Sequence, residues 1–355
     1  MRSFADLDRT LGQVPSRVVT LLSTVDVGRG SEALYKDQLP GVLRELANRA
    51  RVASITMSSA IEGVVVDDES RAERIIRRDV TTLRTRSEQE LAGYRDTIDY
   101  LFQEDWRPLS VGLLLHLHRL LFAHTKVRGG GFKTEDNLVV DRAPDGTSSV
   151  RFRPVPAAET EFCVRELIER YGEAVADARH HPVLLAGLFV LDLTVIHPFE
   201  DGNGRVARAI SNAVLADAGY GVVRYVSLEQ LIAESADAYY QALLDSTDGW
   251  HDHEADPWPW LGYFVRVLAD AYRIFARRAA AEKPVGSKQE RVRDYVLRCA
   301  PPIFRVADVR AALPGISDQT IRMVLGELRG EGAVNPDGVG RAAAWRRAPT
   351  DQPNR

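Results

Sequence analysis

Residues 197–208 read HPFEDGNGRVAR, from His197 to Arg208. The run Val183 to Ile196 before them is apolar except for Thr194 and Asp192, and this pattern predicts a buried helix. At 14 residues it is too short to cross a membrane. Pro198 disfavours helical geometry at His197, so the histidine is expected at the helix exit, facing a cleft. Gly202 and Gly204 flank Asn203, and two glycines so close let the chain turn several backbone N–H groups inward as an anion nest. A second helix, predicted over 203–217, adds its free N–H groups and the positive end of its dipole. Arg205 and Arg208, three apart, project from nearly one face of its first turns.

Backbone donors, a helix start and two forked cations suit a polyphosphate better than a single carboxylate. Asp201 would be repelled by phosphate unless a hard cation stood between them, and Mg²⁺ fits that place. His197 is the nearby group whose ordinary pKa lets it accept a proton near neutrality. The chemistry expected is transfer of a phosphorus group to an alcohol. His197 takes the proton, Asp201 holds the metal, Arg205 and the nest stabilise growing charge, and Arg208 holds the far end of the polyphosphate. Phe199 is expected to anchor the loop in the core.

Working outward, residues 1 to 35 lack strong periodicity and are expected to form an irregular arm. Val42, Leu43, Leu46, Val52 and Ile55 predict a helix from Leu39 to Ile61, ending near Gly63. A further helical run reaches Phe102, and Ser110 caps the next helix. From Val127 the composition turns to glycine and turn formers. Two short alternating strands, Asn137 to Val140 and Ser149 to Arg153, predict a hairpin turning at Asp145 and Gly146. Helices resume from Glu159 and continue over 181–196, 203–217, 228–245 and 258–281. The fold class expected is all-α with one hairpin. EKPVGS at Glu282 to Ser287 breaks the last of these helices. Beyond it, helices near 288–299, 305–313 and 318–330 and two short strands around a glycine-rich turn have the order of a winged helix-turn-helix. The tail after Pro349 is expected to be disordered.

The dodecamer resembles, at every fixed position, the HPFx(D/E)GNGRxxR signature of the Fic-domain family. The resemblance implies an all-helical core with a β-hairpin flap, and transfer of AMP from Mg·ATP to a Ser, Thr or Tyr hydroxyl of a protein. It further implies His197 as general base, Asp201 as metal ligand, Asn203 and Arg205 as contacts to the α- and β-phosphates, and Arg208 as the γ-phosphate clamp. The predicted hairpin takes the place of the flap, which presents a target strand by main-chain pairing. FKTEDN before it resembles the flap entry, with Lys133 where arginine is frequent. Residues 58–63, SSAIEG, resemble the family's inhibitory pattern (S/T)xxxE(G/N), with Ser58, Glu62 and Gly63 at the matching positions. A carboxylate on Arg208 competes with the γ-phosphate for one fork, so resting activity is expected to be low. The domains expected are an N-terminal helical extension with the inhibitory motif (1–105), the Fic core (106–282) and the winged helix (287–348). Two alternatives stay open. One is a hydrolase that removes AMP, with Glu62 orienting water. The other is a DNA-binding regulator with a nucleotide-sensing core, against which the intact His197 speaks, because binding alone needs no base.

The 355 residues suffice for such an arrangement, and a formal net charge of -4 draws the chain neither to nucleic acid nor to a bilayer. Residues 284–355 carry 12 Lys/Arg against 8 Asp/Glu, with Arg341, Arg346 and Arg347 on the expected wing, so this unit is a candidate for DNA or for protein docking. Cys163 and Cys299 are expected as free thiols, and His116, His118, His180 and His181 lack partners at zinc spacing. No basic segment followed by an apolar run opens the chain, so a cytoplasmic location is expected. The target protein is not named by the sequence, while self-modification and a homodimer are compatible with it.

Overall fold

A computed structural model describes residues 3–38, 40–103, 105–142, 148–281, 287–313, 315–337 and 344–348. Helices dominate. The N-terminal ones are α1 (Leu7–Leu11), α2 (Ser16–Gln38), α3 (Pro40–Ile61), α4 (Glu69–Ile76), α5 (Arg86–Gln103) and α6 (Val111–Leu121). A hairpin of β1 (Val139–Arg142) and β2 (Ser148–Phe152) follows. Then come α7 (Ala157–Asp177), α8 (Pro182–Ile196), α9 (Asn203–Asp217), α10 (Leu228–Glu234), α11 (Ala236–Thr247) and α12 (Trp258–Ala281). The remainder is α13 (Lys288–Asp294) running into a π-turn, Tyr295–Cys299, then β3 (Ile303–Phe304), α14 (Val306–Ala312), α15 (Asp318–Gly330), β4 (Val334–Asp337) and β5 (Ala344–Arg347).

The chain divides into two compact units, one of residues 1–29 and 48–273, the other of residues 30–47 and 274–355. In the first, α8 is the axis. Pro182 at its first turn suits a helix start, and every residue from Val183 to Ile196 except Thr194 is buried. It packs against α7 and α9, α9 packs against α5, and α5 against α6. Trp260 of α12 ties in by donating its indole N–H to the Gly187 carbonyl at 2.8 Å. β1 and β2 pair antiparallel with a register shift between Val139 and Val140.

In the second unit Val292, Val296, Phe304, Val309, Ile321, Leu325 and Val334 form a separate apolar core. Three strands run in the order β3-β5-β4, all antiparallel. Ser287 opens α13 with a capping box, accepting from the Glu290 N–H while the Glu290 carboxylate accepts from the Ser287 N–H. Among the described residues no helix is long and apolar enough to cross a membrane.

The arm expected over 1–35 is instead helical, in α1 and α2. Val18, Leu22 and Val25 make a narrow buried stripe at helical spacing, which flanking β-branched residues and two glycines obscure in the sequence. The single helix expected over 228–245 breaks at Ser235, whose φ of -130° is not helical. The run expected to lead into α5 contains a separate α4, ended by Arg78 in the left-handed region at φ 66°. The predicted strands are shifted by a residue or two, and their turn at Asp145 and Gly146 lies outside the described residues, as do Arg341, residues 282–286 of the predicted break and the tail after Pro349.

Candidate active site

α8 ends by placing His197 in the left-handed region, φ 50° and ψ 62°. Its Nδ1 lies 3.3 Å from the Thr194 carbonyl and donates to it, which leaves Nε2 as the basic nitrogen. Burial holds the imidazole well below its ordinary pKa, at about 4, with Lys133 pushing the same way and Glu62 and Asp201 opposing. His197 is therefore neutral, and able to accept a proton, at any pH near 7.

The loop after it is closed on itself. Asn203 accepts the Phe199 N–H at 2.8 Å and donates to the Phe199 carbonyl at 2.7 Å. Its side chain is thus a loop clamp, and the part of Asn203 left for an anion is its backbone N–H at the start of α9. Phe199 is fully buried and stacks on His118, rings 3.9 Å apart. Gly130 N–H donates to His118 Nδ1 at 3.0 Å, so Nε2 carries the proton and donates to the Asp201 carbonyl at 3.1 Å. Burial keeps His118 neutral, at about 4. Nothing in the spacing of LLLHLHRLL marks His118 for this role.

Asp201 is half-exposed, with Oδ1 accepting the Gly202 N–H at 2.6 Å. Arg205 Nη2 and Arg86 Nη2 stand 3.6 Å from its two oxygens. Glu90 of α5 joins the same two cations, at 2.6 Å from Arg205 Nη1 and 2.6 Å from Arg86 Nε. The four side chains make a ring of alternating charge. Burial alone would raise Glu90, but the hydrogen bonds from Arg86 and Arg205 outweigh it and hold the carboxyl below its usual range. Arg205 is 2% exposed and lies over the Phe122 ring. Glu90 could have been suspected from sequence: it sits on the stripe of Tyr94, Ile98 and Leu101, where a carboxylate needs a cation.

Arg208 faces α3. Its Nε donates to Ser58 Oγ at 2.9 Å, and its Nη2 donates to the Ser58 carbonyl at 2.9 Å and to Glu62 Oε1 at 2.8 Å. Burial works against this charge, but Glu62 outweighs it and the guanidinium stays protonated. Glu62 reaches so far because α3 stops there: Gly63, at φ 73°, donates to Ala60, and Val64 donates back to Ser59. Gly204 makes the space, since a Cβ on it would fall 2.1 Å from Glu62 Oε1. Arg208 thus joins Ser58 and Glu62, at the end of α3, to the helix that begins at Asn203, while Glu62 and Asp201 both act electrostatically on His197.

A single carboxylate flanked by cations, with no cluster of three His, Cys, Asp or Glu among the described residues, is not a preformed metal cage. It does fit Mg²⁺ carried in on phosphates, a metal that needs only one or two carboxylates and keeps its waters.

Residues 108–215 match the family model of the Fic/DOC family. The protein adenylyltransferase Fic of Drosophila melanogaster is 26% identical over 223 residues, 61% of this chain and 43% of that relative. The protein of the same name from Drosophila ananassae is 32% identical over 113 residues, 32% of this chain and 20% of the relative. The match thus spans less than half the length of these relatives. A Fic family protein from Desulfovibrio desulfuricans superposes with a TM-score of 0.61 at 19% identity, covering 96% of this chain and 98% of the other. A Fic domain containing signaling protein from Bacteroides thetaiotaomicron gives 0.59 at 20% identity, over 77% of this chain and 100% of its own. At such identities the likeness speaks for the fold. Residues 108–215 are a Fic/DOC family domain, set in a mostly helical Fic-type fold with small sheets.

Proposed function

We propose that this protein is an adenylyltransferase that moves AMP from Mg·ATP to a Ser, Thr or Tyr hydroxyl of a protein, and that Glu62 holds it in an inhibited state. The observation that carries the reading is Glu62 Oε1 at 2.8 Å from Arg208 Nη2, a carboxylate seated on the cation best placed to receive the end of a triphosphate. The names of the Drosophila relatives point the same way.

In this reading the acceptor hydroxyl gives its proton to His197 Nε2 as its oxygen bonds to the α-phosphorus, and the bond to pyrophosphate breaks. Backbone N–H groups at the start of α9 and Arg205 take up charge on the phosphates. Asp201 would hold Mg²⁺, which when bound neutralises the polyphosphate. The hairpin acts as the flap that lays a target strand beside His197. Residues 1–105 serve as the inhibitory extension, 106–282 as the catalytic core and 287–348 as a winged helix for docking.

The test compares full-length wild type with Glu62→Gly and Glu62→Gly/His197→Ala, incubated with labelled ATP and Mg²⁺. Incorporation of AMP should rise at least about tenfold in the single variant and vanish in the double one. Equal incorporation in wild type and Glu62→Gly would sink the inhibitory role. Glu62 also acts electrostatically on His197, which favours a second reading, in which it orients water to remove AMP. That reading expects wild type, and not Glu62→Gly, to strip AMP from a modified substrate.

A further inference from the structure

Lys133, at the entry to the hairpin, is 3% exposed, yet the acceptors described for its ammonium are two neutral oxygens. Nζ donates to Asn137 Oδ1 at 3.0 Å and to the Ile196 carbonyl at 3.1 Å. Its backbone N–H donates to the Pro198 carbonyl at 2.9 Å. One residue thus holds the carbonyls on both sides of His197. Asn137, which holds the ammonium, also donates to the Phe199 carbonyl at 3.0 Å, so the next peptide of the loop is tied to the same short segment.

Burying an ammonium against uncharged acceptors is costly, and a helix end can be capped more cheaply by water or a neutral donor. Two features explain what the charge is for. Ile196 is the last residue of α8, where free carbonyls and the negative end of the dipole favour a cation. His197 stands next to it at φ 50°, a conformation that costs a non-glycine residue on the order of 1 kcal/mol and persists only where surroundings over-determine it.

We propose that Lys133 is a positioning residue for His197: it fixes the carbonyls of Ile196 and Pro198 on either side of the histidine, and its cation reinforces the burial that keeps the imidazole neutral. The inference rests on the functional reading above for what His197 does, but not for what Lys133 does to it. The charges facing the ring are Glu62 from the end of α3, Asp201 from the loop and Lys133 from the hairpin entry. The two carboxylates favour the imidazolium and Lys133 opposes it, in line with the main effect of burial.

The experiment is the NMR titration of His197 from about pH 3.5 to 7 in the full-length chain, for wild type, Lys133→Met and Lys133→Arg. The kinetics of AMP transfer are measured with the same changes in the Glu62→Gly background. The wild-type ring should titrate near pH 4 and be neutral near pH 7. In Lys133→Met its midpoint should rise by about 1 pH unit. There kcat should fall about tenfold or more, while the KM for ATP stays within about twofold. Lys133→Arg should restore both. An unmoved titration in Lys133→Met, even with a lower kcat, reduces the lysine to a helix cap and overturns the proposal; so does a moved titration with kcat unchanged. Should Lys133→Met not fold, Lys133→Gln, which keeps a donor for Ile196 but no charge, carries the same reading. If the Glu62→Gly protein with Lys133 intact transfers no AMP, the functional reading fails while the titration still decides on Lys133.

Discussion

Asp192 is fully buried in the middle of α8, where Ser3 Oγ donates to it at 2.6 Å and the Trp250 indole N–H at 2.7 Å. Burial pushes this carboxyl up to about 6, against the pull of those hydrogen bonds. Because the folded value lies above the unfolded one, the native state keeps a proton that the unfolded chain has released between about pH 4 and 6. The stability this group contributes is complete at the acid end and is lost as pH rises to about 6, a change on the order of 2–3 kcal/mol. Asp192→Asn should remove that slope, so that urea unfolding of the variant gains relative to wild type on going from pH 4.5 to pH 7. A constant difference would refute the assignment. The same residue shows how far sequence alone reaches: its isolation in an apolar run is plain to read, but its partners Ser3 and Trp250 are distant in the chain. Asn203 is similar. Its place between two glycines is legible, while the closure of its side chain on Phe199 depends on how tightly the loop is folded.

At the scale of an element, the inhibitory contact depends on where α3 lies. Arg51, about three turns before the end of that helix, makes a two-pronged bond to Asp99 of α5 at 2.6 and 2.8 Å. Arg78 also reaches Asp99, at 3.0 Å, so the pair belongs to a small network across α3, the end of α4 and α5. Arg51→Met keeps an unbranched apolar stem and removes the fork. It should loosen α3 without touching the cleft, raising resting AMP incorporation severalfold towards the level of Glu62→Gly. Incorporation unchanged from wild type would mean that α3 is held by packing alone. The SSAIEG string could be recognised as a string because its spacing is local. That α3 lays Glu62 on Arg208, 146 residues away, follows from the packing of helices that share no sequence signal.

In the whole molecule, the core around Leu325 is built from residues 292 to 334 and lies in a different unit from His197. A charge at the fully buried Leu325 should unfold that core at a cost of more than about 3 kcal/mol. Hydrogen exchange of Leu325→Asp should lose its protection over 288–337 while the peptides of α8 and α9 remain protected. Loss of protection in both would show that the two units unfold together. The sequence by itself determined the helical class, the hairpin, the break between α8 and α9 and the two strings, SSAIEG and HPFEDGNGRVAR, that meet at Arg208, because each of these is encoded within a few consecutive residues by periodicity, turn formers or a compact motif. It did not disclose α2, whose buried stripe is narrow, nor the break at Ser235. Only the tertiary structure decided which charges meet. Glu90 on Arg205 and Lys133 on the carbonyls either side of His197 are pairings between distant segments, and outside a recognised motif a carboxylate or an ammonium in a sequence carries no mark of the partner that packing will bring to it.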